Sequence, residues 1–146
     1  MNERTGNGGF SLLELLIVVA IILIIATLAL PSFLRSRMSA NESAAVSNLR
    51  QVNVAQNIYL IAHQSFGPLD QLVDKGLLDD RYDSGNMSGY ALGVAISPDG
   101  LNYVVTAAAV SKTTGRYDYY TTPDYVVRYS TTADRAPDGE AGAPVQ

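Results

Sequence analysis

The 146 residues leave room for one folded domain, and ten Lys and Arg against fourteen Asp and Glu give a formal charge of −4. That acidic balance argues against a nucleic-acid partner, which calls for a cationic face that releases counterions. With no Cys and a single His, His63, the chain has no disulfides, zinc–thiolate sites or cysteine nucleophiles, and a His-dependent triad is improbable.

The aliphatic residues are concentrated near the N-terminus. Between Glu14 and Arg35 no charged residue occurs, and Leu15–Leu34 reads LLIVVAIILIIATLALPSFL. At ~1.5 Å per residue a helix of this length matches the ~30 Å hydrocarbon core of a bilayer. The run is apolar on every side, so it spans a membrane or sits in an equally apolar bundle. The leader Met1–Gly9 carries one Arg and one Glu, and Thr27-Leu28-Ala29 is a poor site for signal-peptide cleavage. A simple anchor fits the length but gives no reason for Gly8-Gly9 or Glu14. Arg4 on one flank and Arg35 with Arg37 on the other leave the orientation undecided.

At the junction the chain reads Gly8-Gly9-Phe10-Ser11-Leu12-Leu13-Glu14. Ser11 followed three residues later by Glu14 is capping-box chemistry for a helix start. A carboxylate at the edge of a membrane segment is also costly, and such groups have partners and functions.

Gly9-Phe10-Ser11-Leu12-Leu13-Glu14, followed by the aliphatic run with Pro31 inside it, resembles the cleavage and methylation motif of type IV pilins and type II secretion pseudopilins. The similarity is close from Gly9 to about Arg50 and weak beyond it. The resemblance implies cleavage between Gly9 and Phe10 by a membrane prepilin peptidase, then methylation of the new amino group of Phe10. It implies that Glu14 pairs with the N-terminal amine of a neighbouring subunit, and that the helix can unwind near Pro31 in a filament. Pro31 lacks an N–H and crowds the carbonyl of Thr27. Leu23 stands where many relatives have Gly, so any melting depends more on Pro31 and Thr27. The implied partners are identical subunits in a helical filament, the peptidase, and an inner-membrane platform with its motor ATPase. The implied location is the bacterial inner membrane as a precursor, then an extracellular pilus or a periplasmic pseudopilus.

Beyond the run, Ala45, Leu49, Val52, Ala55, Tyr59 and Ala62 recur at spacings of three and four and predict one apolar stripe, widened by Ile58. Asn41, Asn48, Asn53 and Asn57 are assigned to the remaining helix surface. The expected stalk helix covers 10–64, with its transmembrane part at 12–34. Pro68 and Gly76 frame a short helix, Pro68–Lys75. Tyr90–Ile96 alternates as a strand, Ser97-Pro98-Asp99-Gly100 is turn chemistry, and Leu101–Val110, Arg116–Thr121 and Tyr125–Thr131 are further strands. The expected fold is α+β: a long N-terminal helix packed on a four-stranded antiparallel sheet. The domain plan is a leader at 1–9, the stalk, a globular head at 65–132 and a flexible tail at 133–146. A head this small needs the amphipathic half of the stalk to complete its core.

No enzyme site emerges. His63 lies near a helix end, without an acidic or nucleophilic neighbour in sequence. Asp79, Asp80 and Asp83 are weak candidates for a calcium site, lack EF-hand spacing, and read equally as a solvated loop. Five of the nine tyrosines fall between Tyr117 and Tyr129, suited to strand packing or to contact between subunits. Asn41-Glu42-Ser43 and Asn86-Met87-Ser88 match the N-glycosylation pattern, a weak signal in the bacterial setting that the resemblance implies. The expectation is a pilin. A pseudopilin is the alternative within the superfamily, and a membrane-anchored periplasmic binding domain the alternative outside it.

Overall fold

The computed structural model describes residues 10–129 and 142–145. The leader with Gly9, and 130–141 with Gln146 of the tail region, lie outside the described residues. The chain divides into two units, Met1–Arg35 and Ser36–Gln146.

Helix α1, Leu12–His63, has 52 residues and contributes to both units. Its extent follows from composition: no Gly interrupts it, and Pro31 is its only proline. It ends where Gln64 turns into the left-handed region at φ 56°. In the first unit the large side chains of α1 are exposed.

In the second unit α1 has two faces. Ala45, Leu49, Val52, Ala55 and Tyr59 are buried, as their spacing predicts. Ile58 instead stays 48% exposed, because it lies one step round the helix from Tyr59, on the ridge of Val54. Ala62 is also exposed. Asn48 and Asn53, expected on the surface, are buried, and so is Gln56. Each is satisfied by the head: Asn53 Nδ2 donates to Thr121 Oγ1 at 2.9 Å and its Oδ1 accepts from Tyr103 Oη at 2.9 Å. Gln56 Nε2 donates to the Gly67 carbonyl at 2.6 Å while its Oε1 accepts the Gly67 N–H at 3.0 Å. Asn48 accepts from Tyr82 Oη at 3.2 Å. Buried amides left unpaired are costly, so these bonds fix the register between helix and sheet.

Helix α2, Leu69–Asp74, follows Pro68, and Gly76 at φ 67° ends it by the left-handed exit that favours glycine. A 3-10 turn spans Asp80–Tyr82. The sheet runs β1 Asn86–Met87, β2 Tyr90–Ile96, β3 Tyr103–Ala109, β4 Tyr119–Thr121, β5 Arg128–Tyr129 and β6 Ala143–Pro144. It is an antiparallel meander in chain order. Tyr90, Leu92, Tyr103, Val105, Ala107 and Tyr119 join the α1 residues in the core.

The architecture is the expected α+β arrangement, with six strands among the described residues rather than four. The two additions are two-residue edge strands too short to carry an alternating pattern. β3 starts at Tyr103 because Asn102 closes the hairpin on Ser97: Ser97 N–H donates to the Asn102 carbonyl at 3.0 Å. β4 starts at Tyr119 because Arg116 is held by Glu42 on α1. β5 starts at Arg128 because Tyr125 takes φ 62° in a turn, while 130–131 of the expected strand lie outside the described residues. The tail expectation fails for Ala143–Pro144, which pairs with β5, and Val145 N–H donates to the Val127 carbonyl at 2.8 Å. Pro144 is tolerated there because an edge strand needs ladder bonds on one side only.

Candidate functional site: the apolar N-terminal helix and its carboxylate

Phe10 and Ser11 precede the first turn of α1. Leu15 N–H donates to the Ser11 carbonyl at 3.2 Å, opening the helical ladder. Ser11 N–H donates to Glu14 Oε2 at 3.2 Å, the back-reaching half of a capping box. Glu14 thus serves as a helix cap in the isolated chain, and its negative charge suits the positive end of the helix dipole. Among the described residues no basic side chain pairs with it. Phe10, the residue expected to follow the cleavage point, is 81% exposed.

From Leu12 onward Leu13, Leu15, Leu16, Ile17, Val18 and the aliphatic residues that follow are exposed on all sides. The most apolar 18-residue window of α1 is long enough to cross a bilayer and none of it is buried. Thr27 Oγ1 donates to the Ile24 carbonyl at 2.8 Å. Pro31 sits within the helix, which continues through it in this isolated chain. Proline supplies no N–H for the Thr27 carbonyl, so the ladder is weakest at that turn.

The weak cation candidates are not brought together as a ligand set. Asp79 caps the 3-10 turn: its Oδ1 accepts from Arg81 N–H at 2.9 Å and from Arg81 Nε at 3.0 Å, and these bonds lower its pKa. Asp80 and Asp83 are exposed. Among the described residues no three His, Cys, Asp or Glu side chains are grouped to hold a metal. His63 stacks on Tyr59, with centroids 4.1 Å apart, and its Nδ1 lies 3.2 Å from the Tyr59 carbonyl. That is a helix-end contact.

The structure also joins two residues far apart in sequence in an ion pair, Glu42 and Arg116. Glu42 on α1 accepts three hydrogen bonds from Arg116, from its backbone N–H at 2.8 Å, Nε at 3.1 Å and Nη2 at 2.8 Å. Burial pushes the Glu42 carboxyl upward, but the Arg116 bonds outweigh it and hold the group below its ordinary value. Arg116 is raised in turn by Glu42. Gly115 beside it leaves no room for a side chain unless Tyr90 shifts, since a Cβ there would lie 1.9 Å from Tyr90 Oη. That hydroxyl donates to the Tyr117 carbonyl at 2.9 Å.

Residues 4–30 match the family model described as "Prokaryotic N-terminal methylation motif". The chain is 35% identical over 89 residues to the type IV major pilin protein PilA of Myxococcus xanthus, covering 61% of this chain and 38% of that protein. It is 27% identical over 109 residues to the type II secretion system core protein G of Escherichia coli, covering 72% of this chain and 75% of that one. It is 40% identical over 58 residues to the type IV wide pilus major component PilA4 of Thermus thermophilus, covering 40% of this chain and 44% of that one. The match thus spans less than half the length of either pilin.

Proposed function

We propose, since this chain belongs to the superfamily of type IV pilins and type II secretion pseudopilins, that it is a structural subunit of a pilus-like filament and not an enzyme. The observation that carries this is the pairing of Glu14 with a membrane-length helix of which every large side chain is exposed. Burying each large aliphatic contributes ~1.5–3 kcal/mol, so more than ten of them amount to tens of kcal/mol. Such a helix leaves the bilayer only for an equally apolar environment, and a bundle of sister helices supplies one.

In this reading the precursor sits in the inner membrane and prepilin peptidase cuts between Gly9 and Phe10. Cleavage creates an amine at Phe10 whose charge persists after methylation. A neighbouring Glu14 within the bundle is the counter-ion for it, because an unpaired carboxylate there is strongly unfavourable. Pro31 is the weak turn at which the rod yields. An assembly platform and a motor ATPase supply the work of extraction.

A pseudopilin is the second reading, favoured by one observation: the alignment with the secretion protein reaches 75% of that protein's length. Fractionation separates the two, since a pilus is recovered by shearing cells and a short periplasmic filament is not. The assembly reading is tested by Glu14→Ala. The variant inserts into the membrane at the wild-type level and forms few or no filaments. Wild-type filament yield from it would leave Glu14 with a capping role alone.

A further inference from the structure

We infer that the hollow between a serine ridge of α1 and strand β4 is a binding site for a phosphate group, carried on a small soluble ester or on a lipid head group. Ser39, Ser43 and Ser47 recur every four residues along α1, so their side chains share one ridge, and all three are exposed. Arg50 follows three positions after Ser47. With Glu42 and, from β4, Tyr119, these residues border a hollow of about 400 Å³, a size suited to a small ligand.

Tyr119 distinguishes this hollow from a crease in the surface. It is 6% exposed, and its ring packs against those of Tyr90 and Tyr129 at centroid distances of 5.9 and 6.3 Å. Its hydroxyl makes no hydrogen bond among the described residues, whereas the hydroxyls of Tyr59, Tyr82, Tyr90 and Tyr103 each donate to a partner. Among those residues no fully enclosed side-chain oxygen lacks a partner, so the Tyr119 hydroxyl reaches the surface, and it does so at the hollow that the residue borders. The phenol is thus a donor fixed by the core and held without an acceptor. The serines repeat the pattern. A helical hydroxyl commonly bonds back to a carbonyl in the preceding turn, as Thr27 does to Ile24, and none of these three does so.

Charge decides which ligand fits. Glu42 is already matched by Arg116, whose Nη2 lies 2.8 Å from its carboxylate. Arg50 has no ion pair among the described residues and leaves the rim one positive charge in excess. A guanidinium matches the geometry of phosphate, and the three serine hydroxyls and the phenol can each donate to a phosphate oxygen. One uncompensated cation on a chain of net charge −4 suits a single phosphate rather than a polyanion.

The test is calorimetric titration of the full chain in maltoside micelles. Glycerol 3-phosphate is the soluble probe, and micelles doped with phosphatidylglycerol are the lipid probe. Saturable binding of at least one probe is expected, weakened about tenfold or more by Tyr119→Phe and by Arg50→Gln, the scale of one hydrogen bond to a charged group. Tyr119→Phe keeps the ring in the core and removes an oxygen that has no partner. Its denaturation midpoint without probe should therefore equal that of the wild type, while the rise in midpoint that the probe produces should shrink. That pair of readings separates a lost ligand contact from a lost fold. Binding of glycerol 3-phosphate assigns the site to soluble esters, and binding in doped micelles alone assigns it to lipid. No saturation with either probe up to about 10 mM overturns the inference, as does binding that both variants leave unchanged.

Discussion

Replacing Glu42 by Gln keeps the side chain's volume and removes its charge. The Glu42 side chain is 9% exposed and that of Arg116 is 57% exposed, so the loss falls unequally on the two partners. The amide oxygen of Gln, in the place of Oε1, can still accept the Arg116 backbone N–H and Nε, but the Nη2 bond at 2.8 Å is lost, because the Gln NH2 there faces another donor, and the remaining bonds lose their charge on the acceptor side. Hydrogen bonds to charged groups contribute ~1.5–3 kcal/mol each, and rehydration of the half-exposed guanidinium returns part of that. The net destabilisation is about 2 kcal/mol. The effect also depends on pH. Glu42 is held below the ordinary carboxylate range, so its contribution is complete above that range and is lost as pH falls through the lower folded value. Denaturant unfolding of the full chain in detergent micelles, followed by tyrosine circular dichroism at about pH 7 and about pH 3, measures both. The gap between wild type and Glu42→Gln should be largest near neutrality and narrow in acid. A gap under about 0.5 kcal/mol, or one indifferent to pH, refutes the assignment of the pair as a tie between α1 and the sheet.

Two further outcomes follow from the core. Gly115→Ala drives a methyl into Tyr90 Oη and should cost about 1–3 kcal/mol, most of it recovered when Tyr90→Phe removes the hydroxyl; a neutral Gly115→Ala would show that the loop shifts freely. Burial pushes Tyr119 up to about 12 and raises Tyr90 and Tyr103 as well. These phenols ionise more readily in the unfolded chain, so the head loses stability as pH rises above 10, and their absorbance should titrate together with loss of the native dichroism. Titration of all nine tyrosines near pH 10 in a still-folded head contradicts this.

Much of the architecture was legible because it obeys short periods. The apolar run, the stripe from Ala45 to Tyr59 and the alternation of Tyr90–Ile96 each report local geometry, and the helix and strand formed where those periods placed them. What was hidden depends on distant partners. Asn48 and Asn53 read as surface residues, since an amide on a helix looks solvated until Tyr82 or Thr121 arrives from elsewhere in the chain. Glu42 and Arg116 are separated by 74 positions and no local pattern joins them. Tyr125 reads as a strand residue by its β-propensity, whereas Asp124 builds a turn that overrides propensity. At the N-terminal site the motif is readable residue by residue, because Gly9, Phe10 and Glu14 fall within six consecutive positions and need no distant partner to be seen.

The central claim is that this chain is trimmed and polymerised through its apolar N-terminal helix. Mass spectrometry of the N-terminus in the filament fraction from its own host tests it most directly. A chain that begins at Phe10 and carries one added methyl group is the predicted result. A chain that begins at Met1, or near Leu30 after cleavage beyond the apolar run, contradicts it.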